Sequence, residues 1–260
     1  MKTILLDVGG TFIKCSDGRT VAVDSDGSRE EIVRALRCAV SGGAGEDVPP
    51  SRVRVAVPGP FDYASGTFLM RHKFAAVYGE NFADLAGLPR ECFRYVHDVV
   101  AMLLGNVAPG SPNTALLTLG TGLGFALYVD GKVLKNDLGS PSVPIYNRPY
   151  REGVLEDFVS KRGIVGRYGN PALSVKEIAE RAFGGDERAR RVFSETGEVL
   201  GENIALVLSE YGIQDVLLGG QISRSWQLFA PALARHLPSC LSVRPIKDFD
   251  NATFEGLSVC

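Results

Sequence analysis

An aspartate at the end of an apolar strand, followed at once by two glycines and a threonine, is the group in this sequence best suited to chemistry. Met1 to Leu6 reads as a buried strand, Asp7 stands at its end, and Gly9, Gly10 and Thr11 turn the chain back into strand-like Phe12 to Cys15. A carboxylate at a strand end can hold a hydrated metal ion. Glycines leave backbone N–H groups uncovered, so phosphate oxygens can approach them. A second turn of the same design follows a second apolar strand. Ala115 to Leu119 runs into Gly120, Thr121, Gly122 and Gly124, and Phe125 to Val129 returns. Either turn alone is an ordinary tight hairpin. Two of them, one with an acid at the strand end, read as two jaws around a phosphate chain.

The elements around these turns follow an α/β grammar used twice. Ser28 and Glu31 have capping-box spacing, and Ile32, Val33, Leu36, Ala39 and Val40 then mark one face of a helix. Gly42 to Gly45 is the expected stop, and Pro49 begins a new element. A β-rich run from Val53 to Val57 ends at Pro58-Gly59-Pro60, and residues 61–93 are loop-rich and aromatic. Tyr95 to His97 reads as a short strand, with a helix from Asp98 to Asn106. The boundary between two lobes is expected near Pro109 to Pro112, giving lobes 1–109 and 110–260. The second half holds strands at 114–119 and 124–129, an Asp130-Gly131 hairpin signal and a third strand at 132–134. It continues with a loop over 136–149, a helix near Val154 to Lys161 and a long helix over 186–211 closed by Gly212. Val216 to Leu218 leads into Gly219 and Gly220, Ser223 starts another helix, and Leu241 to Val243 is the last strand.

The whole chain limits the classes of function. Its 260 residues suit one large domain or two lobes, with 45% hydrophobic and 22% charged residues and a net charge of −2. That balance gives no bulk attraction to nucleic acid or anionic lipid, and no apolar run reaches the length of a membrane span. Five scattered cysteines without a C-x-x-C pair point to reduced thiols in a cytoplasmic protein, and three histidines show no metal-ligand spacing.

Five stretches together resemble the ROK family of repressors and sugar kinases. They are Asp7 to Thr11, Val57 to Asp62 with Gly66, His97 to Ala101, Leu119 to Gly124 with Asp130-Gly131, and Leu218 to Ser223, in that order. Gly153 to Ser160 also resembles the stretch that follows the zinc loop in that family. The resemblance implies two lobes of duplicated ribonuclease-H-like (actin- or hexokinase-type) units, each a mixed β-sheet flanked by helices, with a cleft between. It implies ATP and magnesium as cofactors, a small-molecule sugar as substrate and a homodimer as a candidate assembly. Asp7 would position magnesium, usually through water. Gly9, Gly10 and Thr11 would face the terminal phosphates from one lobe, and Gly120, Thr121 and Gly122 from the other. Gly219 and Gly220 would let adenosine lie against backbone. Asp98 would be the general base on the acceptor hydroxyl. Taken alone, Asp98 at a helix start is a plain cap.

The departures from the family pattern concern the sugar. Zinc-containing members carry Glu-x-Gly-His and then a His/Cys cluster, whereas Gly139 to Pro144 onward has no Glu, His or Cys, so no zinc site is expected. His97 replaces a usual Asn before the base, and Arg71-His72-Lys73-Phe74 stands where another Asn is usual. The expected substrate-side residues are Gly59, His72, His97 and Glu156. Glu156 could replace the lost sugar carboxylate or be an exposed helix residue. Arg71, His72 and Lys73 could favour an acidic sugar or form a solvated basic loop. The family also adds a further helix after the stretch matching Asp248 to Ala252, and this chain ends at Cys260.

An ATP-dependent sugar kinase is the function expected. The alternative is a non-catalytic sugar- or nucleotide-binding regulator on the same fold, although such a binder needs neither Asp7 nor Asp98. No helix-turn-helix precedes the first strand, which disfavours DNA repression. A nicotinamide site is disfavoured because Gly120-x-Gly122-x-Gly124 opens a β-run rather than a helix, and no P-loop sequence occurs.

Overall fold

The computed structural model describes residues 3–41 and 50–260. Met1, Lys2, the stop at Gly42 to Gly45 and the start at Pro49 lie outside the described residues. The chain divides into two compact units. One comprises residues 1–106, 135–142 and 250–260, and the other 107–134 and 143–249.

The first unit is built on a five-stranded mixed sheet. Its strands are β1 (Thr3–Val8), β2 (Phe12–Cys15), β3 (Thr20–Ala22), β4 (Arg52–Val57) and, after a small hairpin β5 (Phe61–Asp62) and β6 (Thr67–Phe68), β7 (Phe93–His97). The spatial order is β3-β2-β1-β4-β7, with β1, β4 and β7 parallel. Burial alternates along β1: Ile4, Leu6 and Val8 enter one core, while Leu5 on the opposite face packs against Ala56, Ala101 and Leu257. Helix α1 (Arg29–Val40) begins at the expected capping box, with Ser28 and Glu31 bonded reciprocally. Short α2 (Phe82–Ala86) and α3 (Asp98–Leu104) follow. The aromatic stretch over 61–93 is no open loop. Phe61, Phe68, Phe74, Phe82 and Phe93 are buried, and their rings meet one another and Tyr95 at 5.2–5.8 Å.

The second unit repeats the plan. Strands β8 (Thr114–Leu119), β9 (Leu123–Val129), β10 (Lys132–Val133), β13 (Asp215–Gly219) and β14 (Ser242–Pro245) lie in the order β10-β9-β8-β13-β14, with β8, β13 and β14 parallel. Strands β11 (Pro149–Tyr150) and β12 (Gly153–Val154) form a separate hairpin. Asp130 and Gly131 both take positive φ, +50° and +80°, which is the twist a two-residue hairpin turn requires between β9 and β10. Where one helix is expected near Val154 to Lys161, two stand: α4 (Leu155–Val159) and α5 (Lys161–Tyr168), separated by extended Ser160. Helices α6 (Val175–Phe183), α7 (Glu187–Glu210) and α8 (Ala230–Ala234) complete this unit. Ser223 lies within a run of 3₁₀ turns over Gln221–Leu228 rather than opening an α-helix.

The last helix, α9 (Ala252–Val259), occupies the stretch that the sequence left without one, and it belongs to the first unit. It packs on α3 at close range. A Cβ on Gly256 would stand 1.7 Å from the Ala101 carbonyl oxygen, and one on Gly105 2.2 Å from that of Ala252. Backbones approach that closely only where side chains are missing.

Candidate active site

Asp7, Gly59, His97 and Asp98 come from the carboxyl ends of three adjacent parallel strands. Asp7 pairs in register with Ala56, and Val57 with His97. Open α/β sheets present ligand-binding residues at this end, where the loops leave the strands. Two strand spacings separate β1 from β7, about 10 Å.

His97 is the N-cap of α3, so Asp98 is its first helical residue and not its cap. His97 Nδ1 lies 2.8 Å from Asp98 Oδ1, and the Val99 N–H donates to the same oxygen at 2.7 Å. The Val99 N–H also lies 3.2 Å from His97 Nδ1, which accepts it as the side-chain cap of the helix, so this one amide sits between the imidazole and the carboxylate. Burial raises the Asp98 carboxyl, but the His97 charge and bond, the Val99 N–H and the nearby Lys73 ammonium outweigh it and hold the group below the usual carboxylate range. With 38% of its side chain exposed, Asp98 is an ionised carboxylate open to a substrate.

Asp7 has the opposite electrostatics. Burial and the Asp98 charge raise it to about 6, and Lys14 offsets only part of this. Among the described residues its side chain has no hydrogen bond or ion pair. An unpaired, half-buried acid of this kind suits a cation that keeps most of its water.

The two glycine turns share one hydrogen-bonding scheme. In the first, the Gly9 N–H is spent on the Phe12 carbonyl at 2.9 Å, while the Gly10 and Thr11 N–H groups have no partner among the described residues. In the second, the Gly120 N–H goes to the Gly122 carbonyl at 3.0 Å, and Thr121 and Gly122 keep theirs. Each turn thus offers two adjacent donors, an arrangement that accepts anions. The first turn is braced by Ser25, whose N–H bonds the Gly10 carbonyl at 2.9 Å and whose Oγ would lie 3.2 Å from a Cβ at Gly10. The second is braced by Glu156. Its Oε2 accepts the Leu123 N–H at 2.8 Å and would lie 2.7 Å from a Cβ at Gly122. Arg162 holds that carboxylate at 3.1 Å, and the Lys161 N–H bonds the Gly120 carbonyl at 2.9 Å. Glu156 is therefore neither an exposed helix residue nor unpartnered: it buttresses a turn of its own unit.

Gly219 ends β13, and Gly220 follows at φ +79°, with the Leu119 carbonyl oxygen 2.4 Å from where a Cβ would be. Only glycine fits there, and the backbone of this loop stays uncovered. His72 is exposed. Gly59 sits against His97, whose Nε2 and Cδ2 are 3.4 Å from a Cβ placed on it, and Ser140 Oγ is equally near.

Tyr63 and Ser140 stand beside this candidate site and were not singled out in the sequence, whereas Lys73 was, as part of a basic stretch. Residues 135–142 lie with the first unit, the Leu138 carbonyl accepts the Tyr63 N–H at 3.0 Å, and the Tyr63 ring stands 5.7 Å from that of His97. Tyr63 Oη donates to the Val57 carbonyl at 2.8 Å, and burial pushes this hydroxyl well above its ordinary range. The glycine at 139 was the only available signal, since a Cβ there would press on Tyr63 at 3.0 Å. Among the described residues no group of three or more His, Cys, Asp or Glu could hold a metal ion, and no helix is long and apolar enough to cross a membrane.

Comparison with known proteins bears on the fold that carries these residues. The family model described as ROK family matches residues 149–251. An uncharacterized protein of Clostridium perfringens (strain 13 / Type A) is 29% identical over 156 residues, which span 51% of this chain and 47% of that protein, about half of each. A ROK family glucokinase from Streptomyces griseus, solved in complex with glucose and AMPPNP, superposes with a TM-score of 0.78 at 23% identity, over 99% of this chain and 98% of that one. A ROK family transcriptional regulator, a homolog of the E. coli MLC protein, superposes at 0.77 and 18% identity over 100% of this chain and 78% of that one. At these identities the likeness shows the fold. Residues 149–251 thus match the ROK family, and the chain has the fold of these solved ROK family proteins.

Proposed function

We propose that the chain is an ATP-dependent sugar kinase in which Asp98 is the general base. The observation that carries this is the His97–Asp98 pair: an accessible carboxylate, held ionised beside a histidine, in the same sheet as an unpaired Asp7 and a turn with two open N–H groups. A regulator of sugar binding needs no ionised base beside a phosphate loop.

Phosphoryl transfer asks the protein for alignment, charge compensation and a base near the attacking hydroxyl. Asp98 takes the proton of the sugar hydroxyl as its oxygen attacks. His97, with its Nδ1 2.8 Å from Asp98 Oδ1, flanks the carboxylate and fixes its position. Gly10 and Thr11 offer two donors to a phosphate, and in the other unit Thr121 and Gly122 offer two more. Gly219 and Gly220 leave room for adenosine. Asp7 would hold magnesium, which when bound neutralises phosphate charge. Gly59, His97, Tyr63 and Ser140 form the surroundings of the acceptor.

A second reading, a non-catalytic regulator that binds sugar and nucleotide, is favoured by the likeness to the ROK transcriptional regulator over the whole of this chain. One assay separates the two. ADP release with ATP and magnesium is measured on neutral, amino, acidic and phosphorylated sugars, and the phosphorylated product is identified by ³¹P NMR. Turnover on one sugar class is expected. ATP binding without turnover on any of them would favour the regulator.

A further inference from the structure

Of the basic residues Arg71, His72 and Lys73, only Lys73 turns inward. The Arg71 guanidinium is exposed and lies 4.0 Å over the Tyr78 ring, and His72 is exposed as well. Lys73 is half-buried, and its Cε lies 3.8 Å from where a Cβ on Gly10 would stand. Its stem therefore runs along the first phosphate turn, and its ammonium reaches far enough toward Asp98 to help hold that carboxyl low.

The neighbours fix this direction. Phe74 is fully buried at φ +53°, and its N–H bonds the Ser25 carbonyl at 2.6 Å, the same Ser25 that braces Gly10. A phenylalanine keeps a positive φ only where its surroundings dictate it. Among the described residues Lys73 has no ion pair. A half-buried ammonium with two open N–H groups on one side and a carboxylate on the other is arranged for an anion that the protein itself does not supply.

We propose that Lys73 is a further catalytic residue of the kinase reaction, its ammonium bonding a non-bridging oxygen of the terminal phosphoryl group as that group passes from nucleotide to sugar. This rests on the kinase assignment above. In the step, the bond from the acceptor oxygen to phosphorus forms while the phosphorus–oxygen bond to the β-phosphate breaks. The electron pair leaves with ADP, and the hydroxyl proton goes to Asp98. Charge on the three non-bridging oxygens is what a compact lysine charge offsets. The ammonium also shields the Asp98 carboxylate from the phosphate it must approach.

Calorimetric titration with magnesium AMP-PNP and with magnesium ADP reads the contact to the terminal phosphate without turnover. Lys73→Met is expected to lose about tenfold or more in AMP-PNP affinity, with ADP affinity unchanged. On the accepted sugar its kcat should fall by about 10²–10³-fold, with KM within about threefold. Lys73→Arg keeps the charge and should recover part of both losses, and Arg71→Met should change neither. A thermal melt of each variant shows that it is folded. Equal AMP-PNP affinity and kcat in wild type and Lys73→Met would overturn the proposal and leave the kinase assignment standing. A rise in KM alone, confined to acidic sugars, would overturn it in favour of an acid group on the acceptor. A wild type that binds neither nucleotide would overturn the kinase assignment, and this proposal with it.

Discussion

Asp7 and Asp98 are both aspartates, yet the fold drives their proton affinities apart. Asp98 gains a histidine neighbour and an amide, and stays ionised. Asp7 gains burial and a like charge, and rises to about 6. Because its folded value exceeds the ordinary value near 4, the folded state holds the extra proton between about pH 4 and 6. Stability of the ligand-free protein therefore falls as pH rises through that window, and the cost is complete above it. Asp7→Asn is expected to raise unfolding stability by about 1–3 kcal/mol at pH 8 and to leave it unchanged near pH 4, while abolishing turnover. Urea unfolding at both pH values checks this; a less stable variant at pH 8 would mean that Asp7 has a stabilising partner. Both acids were legible because each interrupts an apolar run at a strand end or helix start. Tyr63 and Ser140 were not, and the basic stretch Arg71 to Lys73 did not tell which of its residues turns inward, because what selects them is contact with residues far away in sequence.

Each glycine turn depends on an element behind it. In the second turn that support is the start of α4, where Glu156 takes the Leu123 N–H. Glu156→Ala is expected to weaken magnesium AMP-PNP binding about tenfold; unchanged affinity in a calorimetric titration would mean that this turn does not hold the nucleotide. Capping signals and periodicity made α1 and α7 legible, with α7 running over Glu187–Glu210. Helix α9 was invisible for a physical reason. Its sequence carries Thr, Phe, Gly, Ser and Val, all poor helix formers, and what holds it is the approach of its backbone to α3. Gly256→Ala separates the two effects. Propensity alone predicts a gain of about 1 kcal/mol, whereas a Cβ 1.7 Å from the Ala101 carbonyl predicts a loss of about 1–3 kcal/mol or more. Denaturant unfolding should show the loss, and a gain would show that the helices can part without cost.

At the scale of the whole molecule, the repeated strand order is the feature that the paired turns had announced. Both five-stranded sheets run two antiparallel strands, then the strand that bears the glycine turn, then two strands parallel to it. A hairpin followed by parallel crossovers leaves a period in sequence, so the duplicated α/β plan could be read. The return of residues 135–142 and 250–260 to the first unit left no such trace. Ser140 reaches its place beside Gly59 through that return. Asp98 remains the residue on which the assignment turns. The most direct measurement is steady-state turnover of wild type and Asp98→Asn on the accepted sugar, with AMP-PNP affinity measured on the same samples. If Asp98 is the base, kcat falls by about 10²–10⁴ while nucleotide affinity and the melting temperature hold. Turnover in Asp98→Asn equal to wild type would contradict it.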